Sequence, residues 1–189
     1  MVPETWLLTW TTYGTWLPGD RRGFVGNVIA QTDDANGADD ASRRVKNNIP
    51  GTPYDRSMPG LENFAREHLR GEPVWLNGPQ AEVFLEEARR TAEFQRWPLL
   101  ALAVMANHAH LVVHAPGQTS GALLLQQFKS YGSRALNNRF GKPASLTWWT
   151  KSGSTRLLPN EPAVIAAVEY VRNQQGPLAL WIASDEPQP

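Results

Sequence analysis

The apolar pattern predicts an α+β fold, an antiparallel sheet with helices packed on it and a long insertion after the first strand. Two apolar strand-like runs, Leu99–Met105 and Asn107–His114, follow one another without the helical crossover that a parallel pairing would need. Helical patterns flank that pair on both sides, near 79–97 and 121–140. A polar stretch separates the first strand pattern from everything else. A chain of 189 residues suits one domain, here 1–189 with an insertion at about 21–77 and a flexible tail at about 184–189.

The first strand is read in Thr5 to Trp16, T-W-L-L-T-W-T-T-Y-G-T-W, dense in β-branched and aromatic residues and ending near Gly14. Tyr13 belongs to it on this reading. Pro18-Gly19-Asp20 marks a turn. From Arg21 to about Asn77 the composition shifts to Gly, Asp, Asn, Arg and Pro, too polar to build much core and too long for an ordinary connection. A short helix fits Leu61 to Leu69, with His68 on its surface.

Regular structure resumes at Pro79 to Trp97. Val83, Phe84, Ala88, Thr91 and Phe94 fall at helical spacing while Glu82, Glu86, Glu87, Arg89 and Arg90 fill the other face, and Pro98 stops the helix. The two apolar runs come next, with Ala106-Asn107 as a turn or bulge between them; pattern alone leaves one bent strand and two paired strands both open. Ser120 can N-cap a helix from Gly121 to about Phe140, whose apolar side is Leu124, Leu125, Phe128, Tyr131 and Leu136. Leu146 to Leu158 reads as a hairpin, or as a strand bent at Gly153. Asn160 can N-cap a last helix that Gly176 ends, its Val164, Val168 and Val171 forming a stripe that can bury against the sheet.

Composition narrows the functional classes. The chain is 41% hydrophobic with eight tryptophans, which suits a globular protein. No apolar stretch approaches the roughly 20 residues that span a bilayer, and no basic-then-apolar leader opens the chain, so a cytoplasmic location and no membrane partner are expected. Without cysteine, any metal must be held by nitrogen and oxygen ligands. Net charge is zero, yet no acidic residue lies between Glu93 and Glu161, where Arg96, Lys129, Arg134, Arg139, Lys142, Lys151 and Arg156 all stand. That imbalance favours a phosphate-bearing partner over the alternative of a merely solvated basic face.

The chemistry-bearing stretch is V-M-A-N-H-A-H-L-V-V-H, Val104 to His114. Strand alternation sends His108 and His110 to one face, where two neutral imidazoles can meet one metal ion; a strand that simply contains histidines is the alternative. His114 shares their parity but sits too far along for joint ligation, and Asn107 shapes the start of the strand. On the last helix Tyr170 and Gln174, four residues apart, share a small-sided stripe with Ala163, Ala166 and Ala167. Trp148 and Trp149 could stack on unpaired bases, with core filling as the rival reading for one of them. Lys129, Arg134, Arg139, Lys151 and Arg156 are candidate phosphate contacts.

The H-A-H strand with its M-A-N and L-V-V flanks, the opening W-L-L-T-W-T-T-Y-G-T-W-L-P-G-D and the E-Y-V-R-N-Q-Q-G segment resemble the REP-associated tyrosine transposases, single-tyrosine members of the HUH endonuclease group. The likeness covers the first strand and most of 79–178, and leaves out the insertion. It implies a ferredoxin-like sheet of HUH type. It also implies a divalent ion, Mg²⁺ or Mn²⁺, held by His108, His110 and Gln174, with Tyr170 attacking single-stranded, hairpin-containing DNA to form a 5′-phosphotyrosine link. A phenol ionises near pH 10, so attack at neutral pH needs a nearby cation or base. Relatives act as monomers or as homodimers that exchange the tyrosine helix. Many carry Asn-Pro where this chain has Gln174-Gln175-Gly176-Pro177, so how the helix ends and which amide reaches a metal stay open.

Tyr131 is the rival nucleophile, set back by its place in an apolar set and by Ala135 four residues on, where Tyr170 has Gln174. Two other readings compete with strand transfer. One is a domesticated hairpin-DNA binder without cleavage; the other is an unrelated metal hydrolase, which needs Glu161, Glu169 or an insertion residue to reach the histidines.

Overall fold

The structure is a computed structural model that describes residues 3–22, 27–29, 44–46 and 58–183. Most of the predicted insertion and the 184–189 tail lie outside the described residues. The chain divides into two compact units, Met1–Thr15 with Arg70–Pro189, and Trp16–Leu69.

The larger unit is built on a five-stranded antiparallel sheet. Its strands are β1 (Pro3–Thr11), β4 (Leu99–Val104), β5 (His108–Pro116), β6 (Ser154–Leu158) and β7 (Ala179–Ile182), in the order β6-β1-β5-β4-β7. Helices α2 (Gly78–Gln95) and α3 (Gly121–Phe140) pack on one face and α4 (Glu161–Arg172) on the other. The fold is therefore α+β with an antiparallel sheet, as the missing crossover requires. The smaller unit holds β2 (Asn27–Ile29) paired antiparallel with β3 (Arg44–Lys46), and α1 (Pro59–Glu67). His68 is exposed at the end of α1, its Nδ1 2.8 Å from the Phe64 carbonyl oxygen.

The two middle strands are paired rather than one bent strand. Met105 N–H donates to the His108 carbonyl at 2.8 Å, closing the turn between β4 and β5. Strand β1 stops at Thr11, short of the predicted Gly14, and Tyr13 lies in the following turn. There its main chain bonds Trp148 and Val74 and its hydroxyl accepts from Arg70 N–H at 2.7 Å, so local hydrogen bonding outweighs its strand propensity. The segment 146–158 is no hairpin: only Ser154–Leu158 pairs as an edge strand with β1, preceded by one bridge between Thr12 and Trp149.

The α2–α3 side carries the main core, centred on Leu8, Trp10, Phe84, Leu102, Leu111, Leu124 and Phe128. Asn77 caps α2 through a capping box with Gln80, and Arg96, at φ 57°, ends it before Pro98 is reached. Phe94 is 79% exposed instead of buried. At 100° per residue it lies roughly 130° from the centre of the stripe formed by Ala81, Phe84, Leu85, Ala88 and Ala92, too far round to reach the sheet. Gly132 of α3 lies so close to the Phe84 ring that any added Cβ would collide with it.

Trp148 and Trp149 are each 4% exposed, and both belong to this core. Trp149 sits edge-on to Phe84 with ring centroids 4.9 Å apart, and Trp148 Nε1–H donates to Asn137 Oδ1 at 2.9 Å. Neither ring can stack on a DNA base; both fill the space beneath the loop that leads into β6.

Candidate active site

Alternation along β5 places His108, His110, Val112 and His114 on the α4 face, opposite Thr11, Thr9, Leu7 and Thr5 of β1. The His108 and His110 rings stand edge-to-face with centroids 4.8 Å apart. Each is held at Nδ1 by a side-chain oxygen: His108 by Asn107 Oδ1 at 2.6 Å, His110 by Thr9 Oγ1 at 2.8 Å. His114 is tied to Thr5 Oγ1 at 2.6 Å, four pairing positions beyond His110.

Helix α4 starts where Asn160 caps it, its side chain accepting from Ala163 N–H at 3.0 Å. Ala167 and Val171 are buried against the sheet, with Ala163, Val164 and Val168 beside them. The adjoining stripe carries Tyr170 to the histidines. Its ring lies 5.1 Å from that of His110, and its Oη is 3.4 Å from His110 Nε2, within one chain. The phenol remains 49% exposed and lines an open cleft of about 510 Å³ with His108, Met105, Glu169, Asn173 and Gln174.

Gln174 is not on the helix. α4 ends at Arg172, with Asn173 as its cap, before the expected stop at Gly176. Pro177 disfavours helical backbone at Gly176, and Gly176 itself takes φ 67°. The side chain still reaches the cleft because its Nε2 folds back to donate to the Tyr170 carbonyl at 3.1 Å.

Burial, with the neighbouring His108 second, lowers the pKa of His110 to about 4 from 6.5. The ring is only 5% exposed and is neutral at physiological pH, the state that ligation requires. Since the unfolded chain takes up this proton near pH 6.5, stability is full above that pH and lost as pH falls toward 4. The loss is about 3 kcal/mol. Urea unfolding at pH 7 and 4.5 should show it, and His110→Gln should lose less on acidification; equal acid sensitivity would refute the assignment.

The five candidate phosphate contacts do not converge. Lys129 donates to the carbonyls of Thr150, Lys151 and Ser152, which uses all three ammonium protons, and burial lowers its pKa to about 8. It is a strut for that loop and has no proton left for a phosphate. Arg134 is exposed on α3 with its guanidinium 4.4 Å over the Tyr131 ring, and Arg139 is exposed near the end of the same helix. Tyr131 is thus half-buried beneath Arg134. Lys151 is exposed in the loop before β6. Arg156 pairs opposite Leu7, which pairs opposite Val112, so it alone of the five is placed by register on the histidine face.

Sequence reasoning overlooked Thr9 and Asn173, and weighed Glu169 only for the rival metal hydrolase. The alternation Thr5-x-Leu7-x-Thr9-x-Thr11 was visible, but matching Thr9 to His110 needs the strand register. Glu169 brings a carboxylate into the cleft, where it faces Arg172 at 3.5 Å. Among the described residues, however, no three His, Cys, Asp or Glu side chains gather to hold a metal ion.

The family model described as IS200-like transposase matches residues 72–174, more than half of the chain and inclusive of both histidines, the tyrosine and Gln174. The chain belongs to this family. Among solved structures, a REP-associated tyrosine transposase bound to a REP hairpin is similar at 11% identity and a TM-score of 0.45, over 89% of this chain and 64% of that one. The chain thus spans less than two thirds of that transposase. A chain from Deinococcus radiodurans described as a transposase is similar at 16% identity and a TM-score of 0.44, over 92% of each. No curated protein matches. For this IS200-like family member, no helix among the described residues is long and apolar enough to cross a membrane.

Proposed function

We propose that the chain is a metal-dependent nuclease and strand transferase for single-stranded DNA that contains hairpins, working in the cytoplasm with Tyr170 as nucleophile. The observation that carries this reading is the 3.4 Å approach of Tyr170 Oη to His110 Nε2, beside His108, in a member of a transposase family. The donor set fits a divalent ion: two imidazoles whose Nδ1 atoms are already bound to oxygen, plus the Gln174 amide, suit Mg²⁺ or Mn²⁺ in a site with no thiolate. Bound there, the ion would polarise the scissile phosphate and offset its developing charge.

The chain's own groups account for the rest. Tyr170 Oη attacks phosphorus as its proton leaves to water in the open cleft. The bond from phosphorus to the 3′ oxygen breaks, and that oxygen takes up a proton from water and departs as a 3′-hydroxyl. The DNA is left joined to Tyr170 through a 5′-phosphate. Attack by another strand's 3′-hydroxyl reverses the step and completes transfer. Helix α4 sets the trajectory, since Val171 and Ala167 pin it to the sheet while Tyr170 faces the open cleft. Arg156 on the histidine face, with Arg134, Arg139 and Lys151 elsewhere, supplies phosphate contacts. Assembly of the tyrosine and histidines within one chain supports action as a monomer, with a homodimer as the alternative.

Labelled hairpin single strands mixed with protein and Mn²⁺ should yield a covalent adduct on a denaturing gel, and chelator should abolish it. Tight hairpin binding that is insensitive to chelator, with no adduct, would instead establish a domesticated binder.

A further inference from the structure

We propose that Asn107 and Thr9 are positioning residues that hold His108 and His110 in the tautomer with the proton on Nδ1 and the lone pair on Nε2. The inference rests on reading the two histidines as ligands. An imidazole that pivots, or that protonates the wrong nitrogen, cannot ligate, so the choice of tautomer is a requirement of the site.

For His108 the partner decides. Asn107 Oδ1, 2.6 Å away, can only accept, so the proton must be on Nδ1 and Nε2 is left as the ligating atom. Asn107 is itself immobilised. Its main-chain carbonyl accepts from Thr12 N–H at 2.8 Å, Thr12 Oγ1 at 3.1 Å and Thr15 Oγ1 at 3.2 Å, and both threonines are buried. The preceding carbonyl, of Ala106, accepts from Leu76 N–H at 2.7 Å. The carboxamide therefore projects from a turn clamped to the end of β1 and to the segment before α2.

For His110 two hydroxyls decide together. Thr9 Oγ1 lies at Nδ1 and Tyr170 Oη at Nε2. A phenol is a stronger proton donor than an aliphatic alcohol, so Nε2 accepts from Tyr170 and Nδ1–H donates to Thr9. The pairing of Thr9 with His110 across β1 and β5 holds this contact in place. The ligand pair thus takes one anchor from its own turn and one from the neighbouring strand, and the nitrogen opposite each anchor is the same.

The test reads tautomers directly, in metal-free protein at pH 8, by long-range ¹⁵N–¹H correlation of the imidazoles. Wild-type spectra should show protonated Nδ1 and bare Nε2 for both rings. Asn107→Ala should leave His108 a mixture and weaken Mn²⁺ binding, followed by electron paramagnetic resonance, by roughly 10–100-fold. Asn107→Asp, still an acceptor, should restore the tautomer. Thr9→Val in a Tyr170→Phe background, which also removes the phenol at Nε2, should do to His110 what Asn107→Ala does to His108 when compared with Tyr170→Phe alone, and it carries the test alone if the alanine variant does not fold. The opposite tautomer in the wild type, or variants that leave tautomer and Mn²⁺ affinity unchanged, would overturn the proposal. Correct tautomers and Mn²⁺ binding without any DNA adduct would overturn the catalytic reading and leave this one standing.

Discussion

Tyr170→Phe should abolish the covalent protein–DNA adduct, a loss of at least about 10⁴-fold in cleavage, while leaving the fold intact. The substitution removes one oxygen and keeps the ring. That ring packs edge-on to His110, and α4 is held by Val171 and Ala167, neither of which the change touches. The lost hydrogen bond is long, at 3.4 Å, and half-exposed, so stability should shift by no more than about 1 kcal/mol. Denaturing gels with labelled hairpin DNA, run beside thermal melts, separate the two effects. Tyr131→Phe is the matched control: Tyr131 lies on α3 beneath Arg134, on the helix pair that covers the opposite face of the sheet. An adduct that survives in Tyr170→Phe but is lost in Tyr131→Phe would overturn the assignment.

Phe84→Ala should be the most damaging single truncation, at roughly 3–5 kcal/mol, with a fall in melting temperature of roughly 6–20 °C. Phe84 is fully buried between Trp10 and Trp149, with ring centroids 5.8 and 4.9 Å away. Gly132 abuts it from α3. Two rigid indoles and a helix backbone cannot collapse into the void, which places the cost toward the upper end. Trp10 belongs to β1, the strand that presents Thr9 to His110, so the cavity should loosen the site from behind. Calorimetry of the variant checks the magnitude; a melting shift of under about 2 °C would mean that the core repacks there.

Much of this architecture is legible along the chain because its signals are local. The capping residues Ser120 and Asn160 lie where polar side chains precede apolar periodicity, and α3 and α4 begin there. The parity of His108 and His110 follows from the pleat of any strand. Other features are not local. The last edge strand, β7, is a four-residue run after Gly176-Pro177, too short to stand out until β4 offers it a partner. Aromatic residues also read alike whether they pack or bind, so Trp148 and Trp149 looked available until Phe84, Trp10 and Asn137 enclosed them. Lys129 looked like a phosphate contact for the same reason, since nothing in its neighbourhood announces three carbonyls from residues 150–152.

By itself the sequence determined the α+β class, the absence of thiolate chemistry, the carboxylate-free stretch from Glu93 to Glu161, and the facing of two histidines on one strand. These depend on residue type and period, which act over a few positions. Only the tertiary structure decided that Tyr170 Oη comes within 3.4 Å of His110 across 60 residues of chain, that Thr9 and not another threonine backs that ring, and that Glu169 enters the cleft. Those are matters of strand register and of the angle at which α4 crosses the sheet, and both are settled by how the buried side chains of distant segments fit together.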